Sequence, residues 1–594
     1  MKPHQEPGEE EPLGPAGSSP QASAGPDPDS AEAWFQRGLA AFRQGRLGQA
    51  AGDFHQALKR DPGHAKAWYQ LGNLFFAQDR LAEAATHYLQ ALQHNPAHAN
   101  ACSQLGCVWL RQAQISRALG CFLRALELNP ANALTWHHLG NAYKGQGQLD
   151  QALDAFERGL ALQAGTPLTR ADPLRMMNYH AWLQTLNYHP GYTPEVCFQA
   201  HRTWGERLSL SLAPLARPAQ VRPAGPLRIG YVSAVFRHHA AAFFIESLLK
   251  AHDRRDFEIF CYSGLPRPDA VTRRLQSLAD HWREVHGLDD RAAAEQIQRD
   301  RIDILVDLDG HTAHTRLPLF ALKPAPVQVS YLGYPNTTGL SRIDYRLTDA
   351  WADPPGLTEA WHTEELVRLP KGFLCYTPPQ PCPEVSELPA ASGGLTFGSF
   401  NNLCKLTPAV VALWSRVLKA VPGSRLLLKS EPLQDESTAN RLAAQFAAEG
   451  IDAGRLILLG FAPGFAEHLA AYGQVDIALD PFPYNGTTTT CEAMWMGVPV
   501  ITLAGGSHVS RVGVSLLQSV GLEALIAEKA ADYVAIAARL ARDLPALQTL
   551  RQGLREQMGS APLCDGPGFT RGLEAAYRQM WQQWGRKRGG GVVG

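Results

Sequence analysis

Surplus charge is the first thing this sequence lacks. Lys and Arg number 55 and Asp and Glu 56, which leaves a net charge of −1. A chain so balanced presents no overall field toward nucleic acid or an anionic membrane. No apolar run reaches the length of a membrane span, and the first residues, Met1-Lys-Pro-His-Gln-Glu, lack the apolar centre of a secretory signal. Cysteine is sparse. The ten cysteines are scattered from Cys102 to Cys564, with no C-x-x-C pair and no Cys/His spacing of the zinc-binding kind. These absences predict a cytoplasmic protein with free thiols and no metal site.

What is present is ordinary globular composition on a long chain. Hydrophobic residues make up 45% and charged residues 19% of 594 positions, enough for several cores rather than one. Residues 1–30 hold little but Pro, Gly, Ser, Ala and acidic residues, with Leu13 the one large apolar side chain after Met1. That stretch cannot bury enough surface to offset chain entropy and is expected to be a disordered leader.

A strict period follows. Trp34, Trp68 and Trp136 stand at multiples of 34 residues, with Cys102 in the remaining slot. Gly38, Gly72, Gly106 and Gly140 keep the same step, as do Ala50, Ala84, Ala118 and Ala152, and Phe54, Tyr88, Phe122 and Phe156. Pro62, Pro96 and Pro130 close three of the units. A 34-residue unit of this pattern is the tetratricopeptide repeat, a pair of antiparallel helices. Small residues let the paired helices approach, aromatics fill the space between them, and proline ends each second helix. Four repeats are predicted over 31–164. Such arrays hold peptides or proteins, and they also serve as spacers or dimerisation surfaces, so a homodimer stays open.

Residues 165–225 are expected to form degenerate helices and a linker, with helical stretches at Met176–Leu183 and Phe198–Leu208 and prolines from Pro214 to Pro226. Strands then alternate with helices. Leu227–Ser233, Phe257–Tyr262, Ile302–Leu308 and Val327–Tyr331 read as buried strands of a first lobe, 226–392. Leu395–Phe400, Arg425–Lys429, Leu456–Leu459, Val475–Leu479 and Val498–Leu503 read as strands of a second, 393–585, before a flexible tail, 586–594. Parallel sheets with right-handed crossovers are implied, and in such sheets ligands bind at the carboxyl ends of strands.

At one such end lies Asp480-Pro-Phe-Pro-Tyr-Asn-Gly-Thr-Thr-Thr-Thr490, running into a short helix that carries Cys491, Met494 and Trp495 on one face. Asn485-Gly486 permits a sharp turn, and the threonines stand where a helix start leaves N–H groups unpaired. Hydroxyls, free N–H groups and the positive end of the helix dipole together suit a phosphate.

Repeats followed by these loops resemble the peptide O-linked N-acetylglucosaminyltransferase family, including its SPINDLY-like members. The motifs that carry the resemblance are Asp309-Gly-His-Thr312, Ala325-Pro-Val-Gln-Val-Ser-Tyr-Leu-Gly-Tyr-Pro-Asn-Thr-Thr-Gly339, Ser399-Phe-Asn-Asn-Leu-Cys-Lys405 and Asp480–Pro499. The resemblance implies an inverting, metal-independent glycosyltransferase of GT-B architecture, two Rossmann-like lobes after a superhelical array. It implies transfer of N-acetylglucosamine from UDP-N-acetylglucosamine to Ser or Thr of a protein held by the repeats, with no cofactor.

The resemblance also assigns residues. Lys405 contacts the donor diphosphate, where a metal-free enzyme needs a cation. Thr487, Thr488 and Thr489 grip the same phosphates, Glu492 the ribose, His468 the uracil and sugar-phosphate end, and Asn402 the donor by a polar contact. His239 is the candidate general base toward the acceptor hydroxyl, with His311 as a second candidate. Pro335, Thr338 and Gly339 are expected to shape the sugar pocket. Animal members carry histidine, lysine and arginine where Thr487, Phe465 and Ala471 stand here, and Arg511 is a candidate for restoring the lost charge. Two other readings stay open: a fucosyl- or glucosyltransferase using another nucleotide sugar, and a repeat-based scaffold with little catalysis.

Overall fold

In a computed structural model the described residues are 27–165, 172–216, 225–460, 462 and 464–589. The expected leader lies almost wholly outside them, as do residues 590–594 of the expected tail. The chain divides into two compact units, one ending at Leu139 and the other beginning at Gly140.

The first unit is built of helix pairs: α1 (Ala31–Arg43) with α2 (Leu47–Arg60), α3 (Ala65–Ala77) with α4 (Leu81–His94), and α5 (Ala99–Arg111) with α6 (Ile115–Leu128). The period in glycine and aromatic residues is a period in close contact. A Cβ on Gly38 would stand 2.6 Å from the Phe54 ring, one on Gly72 2.5 Å from Tyr88, and one on Gly106 2.5 Å from Phe122. The helix starts repeat as well. Ser30 Oγ accepts from Ala33 N, His64 Nδ1 from Ala67 N, His98 Nδ1 from Ala101 N and Asn132 Oδ1 from Thr135 N, so each unit caps its first helix in the same slot.

Helix α7 (Ala133–Gly145) crosses into the second unit, so the division falls inside the fourth repeat rather than at residue 165. The reason is packing. Its partner α8 (Leu149–Leu162) lies against α9 (Pro173–Leu186), with Ala152, Phe156 and Ala181 in one buried cluster. Gln146 Nε2 donates to Thr438 Oγ1 of the second lobe at 2.7 Å. The helical stretches expected after the repeats are α9 and α10 (Pro194–Ser211), longer than read from sequence because Asp172 and Thr193 cap them and Pro173 and Pro194 open them.

Two all-parallel sheets follow. The first has the order β3-β2-β1-β4-β5-β6-β7, with β1 Leu227–Ser233, β2 Phe257–Ser263, β3 His281–Glu284, β4 Ile304–Asp307, β5 Val327–Ser330, β6 Tyr345–Asp349 and β7 Glu365–Leu369. The second runs β10-β9-β8-β11-β12-β13, with β8 Thr396–Ser399, β9 Arg425–Lys429, β10 Leu456–Leu459, β11 Ile477–Leu479, β12 Val500–Leu503 and β13 Ile526–Ala527. Strands β3, β6, β7 and β13 carry too little apolar signal to be read from sequence. Tyr345-Arg-Leu-Thr-Asp349 is wholly buried despite two charges, because Arg346 donates to Asn336 O and Tyr334 O while Asp349 accepts from three backbone N–H groups.

The lobes are not consecutive blocks. The helix Gly566–Gly589, expected to belong to the second lobe and to end in a flexible tail from 586, returns to the first. It packs on α11 (Ala242–Ala251), and its Tyr577 and Leu573 join Tyr231 and Phe257 in one core. Tyr577 OH lies 3.2 Å from Tyr231 OH. His252 meets Tyr231 OH through Nε2 (2.9 Å) and Glu574 Oε1 through Nδ1 (3.0 Å).

Candidate active site

Strands β9, β8 and β11 are neighbours, so whatever follows their carboxyl ends is brought to one place. From β9 comes Lys429, its last residue. From β8 come Asn401 and, closing a 3-10 turn, Lys405. From β11 comes the loop Asp480–Thr487, feeding the helix Thr488–Trp495.

Lys405 is the centre of this group. Its Nζ donates to Asn401 Oδ1 (3.0 Å) and to Asn485 O (2.8 Å) and stands 4.7 Å from the Tyr484 ring centroid. Asn401 Oδ1 also accepts from Thr489 Oγ1 at 3.2 Å, which ties lysine and helix start together. Burial pulls the ammonium down to about 8, opposed by the charge of Asp480. Burial likewise pushes Asp480 up to about 7, although Gly486 N–H (2.6 Å) and Thr502 Oγ1 (2.7 Å) donate to it. Thr487 makes no side-chain cap, so the helix start keeps its N–H groups for something else. A half-buried cation beside an uncapped helix N-terminus suits an anion in both charge and geometry.

One turn along, Glu492 is buried and accepts from His468 Nε2 (3.0 Å) and from Tyr472 OH (3.4 Å). The other ring nitrogen of His468 accepts from Lys429 Nζ at 2.7 Å. An ammonium donor fixes the imidazole with its proton on Nε2, aimed at the carboxylate. Phe465 stacks on Phe243 of the first lobe and on His468. Lys429 brings a positive charge back to this end of the site. Arg511 does not, because its guanidinium donates to Trp351 O and Gly505 O.

Across the cleft, the loop after β1 carries His239. Ala240 O lies 3.5 Å from Thr488 Oγ1, so this loop faces the helix start. His239 Nδ1 accepts from Ala241 N–H at 3.2 Å. An amide can only donate, so the neutral ring carries its proton on Nε2 and offers the cleft a donor rather than a lone pair. Burial, Arg237 and His238 hold the ring below the usual histidine range.

His311, the second candidate base, is not in the cleft. It is fully buried, its Nε2 donates to Thr338 O (2.8 Å), and its Nδ1 therefore accepts from His180 Nδ1 (2.8 Å). Burial, then His180 and His201, drives it well below the usual histidine range. It fastens α9 to the first sheet and has no nitrogen left for substrate. Gly310 before it makes room for Tyr334, whose Cβ would stand 2.3 Å from an added Cβ. Thr338 and Gly339 are packing residues too: Thr338 is buried against Glu364, and Gly339, at φ +73°, lies under His201 O.

The structure thus brings Lys405, Thr487, Thr488, Thr489, Glu492 and His468 to one place. Asn402 is exposed and holds Lys405 only through its backbone carbonyl (3.0 Å). The inward member of that pair is Asn401. Sequence reasoning also missed Lys429, whose signal is a lone charge closing the apolar strand Arg425–Lys429, and Asp480, which braces the loop. Among the described residues no cluster of three or more His, Cys, Asp or Glu side chains suits a metal, the cysteines form no disulfide, and no helix is long and apolar enough to cross a membrane.

Two Rossmann-like lobes facing each other, with an anion cradle at the strand ends of the second, define a GT-B glycosyltransferase. The model of glycosyl transferase family 41 matches residues 209–378 and 384–573, and tetratricopeptide models match 21–54, 35–99 and 121–154. The chain belongs to glycosyl transferase family 41. It is 46% identical over 409 residues to a rice protein named probable UDP-N-acetylglucosamine–peptide N-acetylglucosaminyltransferase SPINDLY, matching 68% of this chain and 44% of that one. Its identity to an Arabidopsis thaliana protein of similar name, SEC, is 32%, over 65% and 41% of the two chains. The chain thus spans less than half the length of these relatives. A mutant of the Thermobaculum terrenum O-GlcNAc transferase superposes with a TM-score of 0.81 at 36% identity, covering 89% of this chain and 99% of the other.

Proposed function

We propose that this protein transfers a sugar from a nucleoside diphosphate sugar to serine or threonine hydroxyls of a protein. The donor we assign is UDP-N-acetylglucosamine, the sugar nucleotide in the names of its relatives. The observation that carries the reading is Lys405 Nζ, joined to the uncapped helix start through Asn401 Oδ1. As the bond from the anomeric carbon to phosphate breaks, charge grows on the leaving diphosphate, and these groups are already in place to receive it. That assigns to lysine and helix the work a divalent cation does elsewhere. Glu492, with His468 and Lys429 behind it, faces the nucleoside end, and the repeats supply a surface for the protein acceptor.

Lys405→Ala is expected to lower kcat about 10²–10³-fold, the scale of losing one preorganised charge-stabilising donor, with little change in melting temperature. Transfer from UDP-N-acetylglucosamine to a peptide library, read by mass spectrometry, measures it. Undiminished turnover in the variant would remove the mechanism. UDP and GDP titrated separately test the donor, because only the nucleotide of the true donor stabilises the fold appreciably: about 2.7 kcal/mol at a hundredfold excess over Kd.

A further inference from the structure

An inverting transfer also needs somewhere for the acceptor proton to go, and neither His239, which offers a donor, nor His311, which is sealed in, provides it. A third histidine does. We propose that His508, oriented by Asp353, takes the proton from the acceptor hydroxyl in the transfer reaction assigned above, on which this inference rests.

His508 lies in the loop after β12 and Asp353 after β6, so the pair joins the two lobes. His508 Nδ1 stands 2.6 Å from Asp353 Oδ2, which also accepts from Thr348 Oγ1. Both residues are buried, Asp353 completely. Burial opposes ionisation of Asp353, yet the His508 ring, together with His362 and the Thr348 hydroxyl, more than offsets it, and the carboxyl is held below the usual carboxylate range. A carboxylate on Nδ1 places the ring proton there and leaves Nε2 a lone pair, the reverse of the tautomer imposed on His239. Nε2 has no protein partner among the described residues. The ring lines a pocket shared by both lobes and by α9 and α10, whose wall includes Pro335, Asn336, His362 and Pro483.

The pocket adjoins the donor site. Val509, next to His508, accepts from Asn485 N (3.1 Å), and Asn485 O holds Lys405 Nζ. His362 shows the same polarity as His508: its Nδ1 donates to Thr358 O (3.0 Å), and its Nε2 is buried without a partner. Two ring nitrogens that accept, in one cavity beside the diphosphate cradle, fit a hydroxyl-bearing substrate.

In the step, the acceptor oxygen bonds to the anomeric carbon as its proton passes to His508 Nε2. The bond from the anomeric carbon to the diphosphate oxygen breaks, its electron pair leaves with the diphosphate toward Lys405, and the imidazolium then releases its proton to solvent. Asp353 acts as a positioning residue for the ring.

The test uses the full chain with UDP-N-acetylglucosamine and an acceptor peptide. His508→Gln, whose amide still donates to Asp353 but cannot take a proton, should lose about 10²–10⁴-fold in kcat while its Kd for UDP stays within about threefold of the parent's. In His508→Ala, added imidazole should restore part of the lost rate, and Asp353→Asn should lower kcat with UDP affinity kept. Transfer by His508→Gln at a parental rate overturns the proposal. So does joint loss of activity and UDP binding, which would make the pair a structural link between lobes, and so does the absence of imidazole rescue. A parent protein that turns over no nucleotide sugar would sink the transfer reading itself, and an active parent beside an equally active His508→Gln sinks the dyad alone.

Discussion

Burial holds the Lys405 ammonium near 8 and lifts the Asp480 carboxyl to about 7, so both titrate in the accessible range. In the unfolded chain lysine titrates near 10.4 and aspartate near 3.9. Between about 8 and 10.4 the unfolded state binds the extra proton, so the contribution of Lys405 to stability rises with pH across that window. Between about 4 and 7 the folded state holds the extra proton on Asp480, and that contribution falls as pH rises. Urea midpoints measured across pH should show both slopes, the first flattened in Lys405→Met and the second in Asp480→Asn. At this scale the threonines are legible because a run of hydroxyls before a helix start marks itself, and Lys405 because the family resemblance assigns it. Choosing Asn401 over Asn402 is not, since two adjacent asparagines at a strand end differ only in which one turns inward. Lys429 is hidden for another reason: nothing local to it says that β9 lies beside β8.

An ordinary helix gains from a side chain that caps its first N–H groups, and the helix Thr488–Trp495 goes without. Thr487→Asp should supply the cap and a favourable charge, raising stability by about 1 kcal/mol. The same carboxylate would occupy the anion site, so affinity for UDP should fall at least tenfold. Thermal denaturation with and without nucleotide reads both effects, and stability and binding moving in the same direction would count against the cradle. Elements were legible wherever apolar periodicity was strong, as in the repeat helices and β1, β2 and β9. They were not where buried charges are met by backbone hydrogen bonds, as in β6 with Arg346 and Asp349, or where a strand lies at an edge and is only half buried, as in β3.

The two lobes share more than the cleft between them. The helix Gly566–Gly589 spans back to α11, where Glu574 Oε1 accepts from His252 Nδ1 and from Asp253 N (2.8 Å). Glu574→Leu leaves these donors unmet, at about 1–3 kcal/mol each, while Glu574→Gln keeps an acceptor and should lose far less. Guanidinium unfolding midpoints of the two variants compare them. No signal in the sequence announces this crossing: an amphipathic helix near the chain end reads the same whichever sheet it covers.

That returning helix imposes an order on synthesis. Strands β1 to β7 are made well before residue 566, yet part of the core around Tyr231 and Phe257 is furnished by Leu573 and Tyr577. At 5–20 residues per second the interval is on the order of 10–40 seconds. Through that time the first lobe waits on the ribosome with an apolar face uncovered, and the helix that seals it is among the last parts of this sequence to emerge.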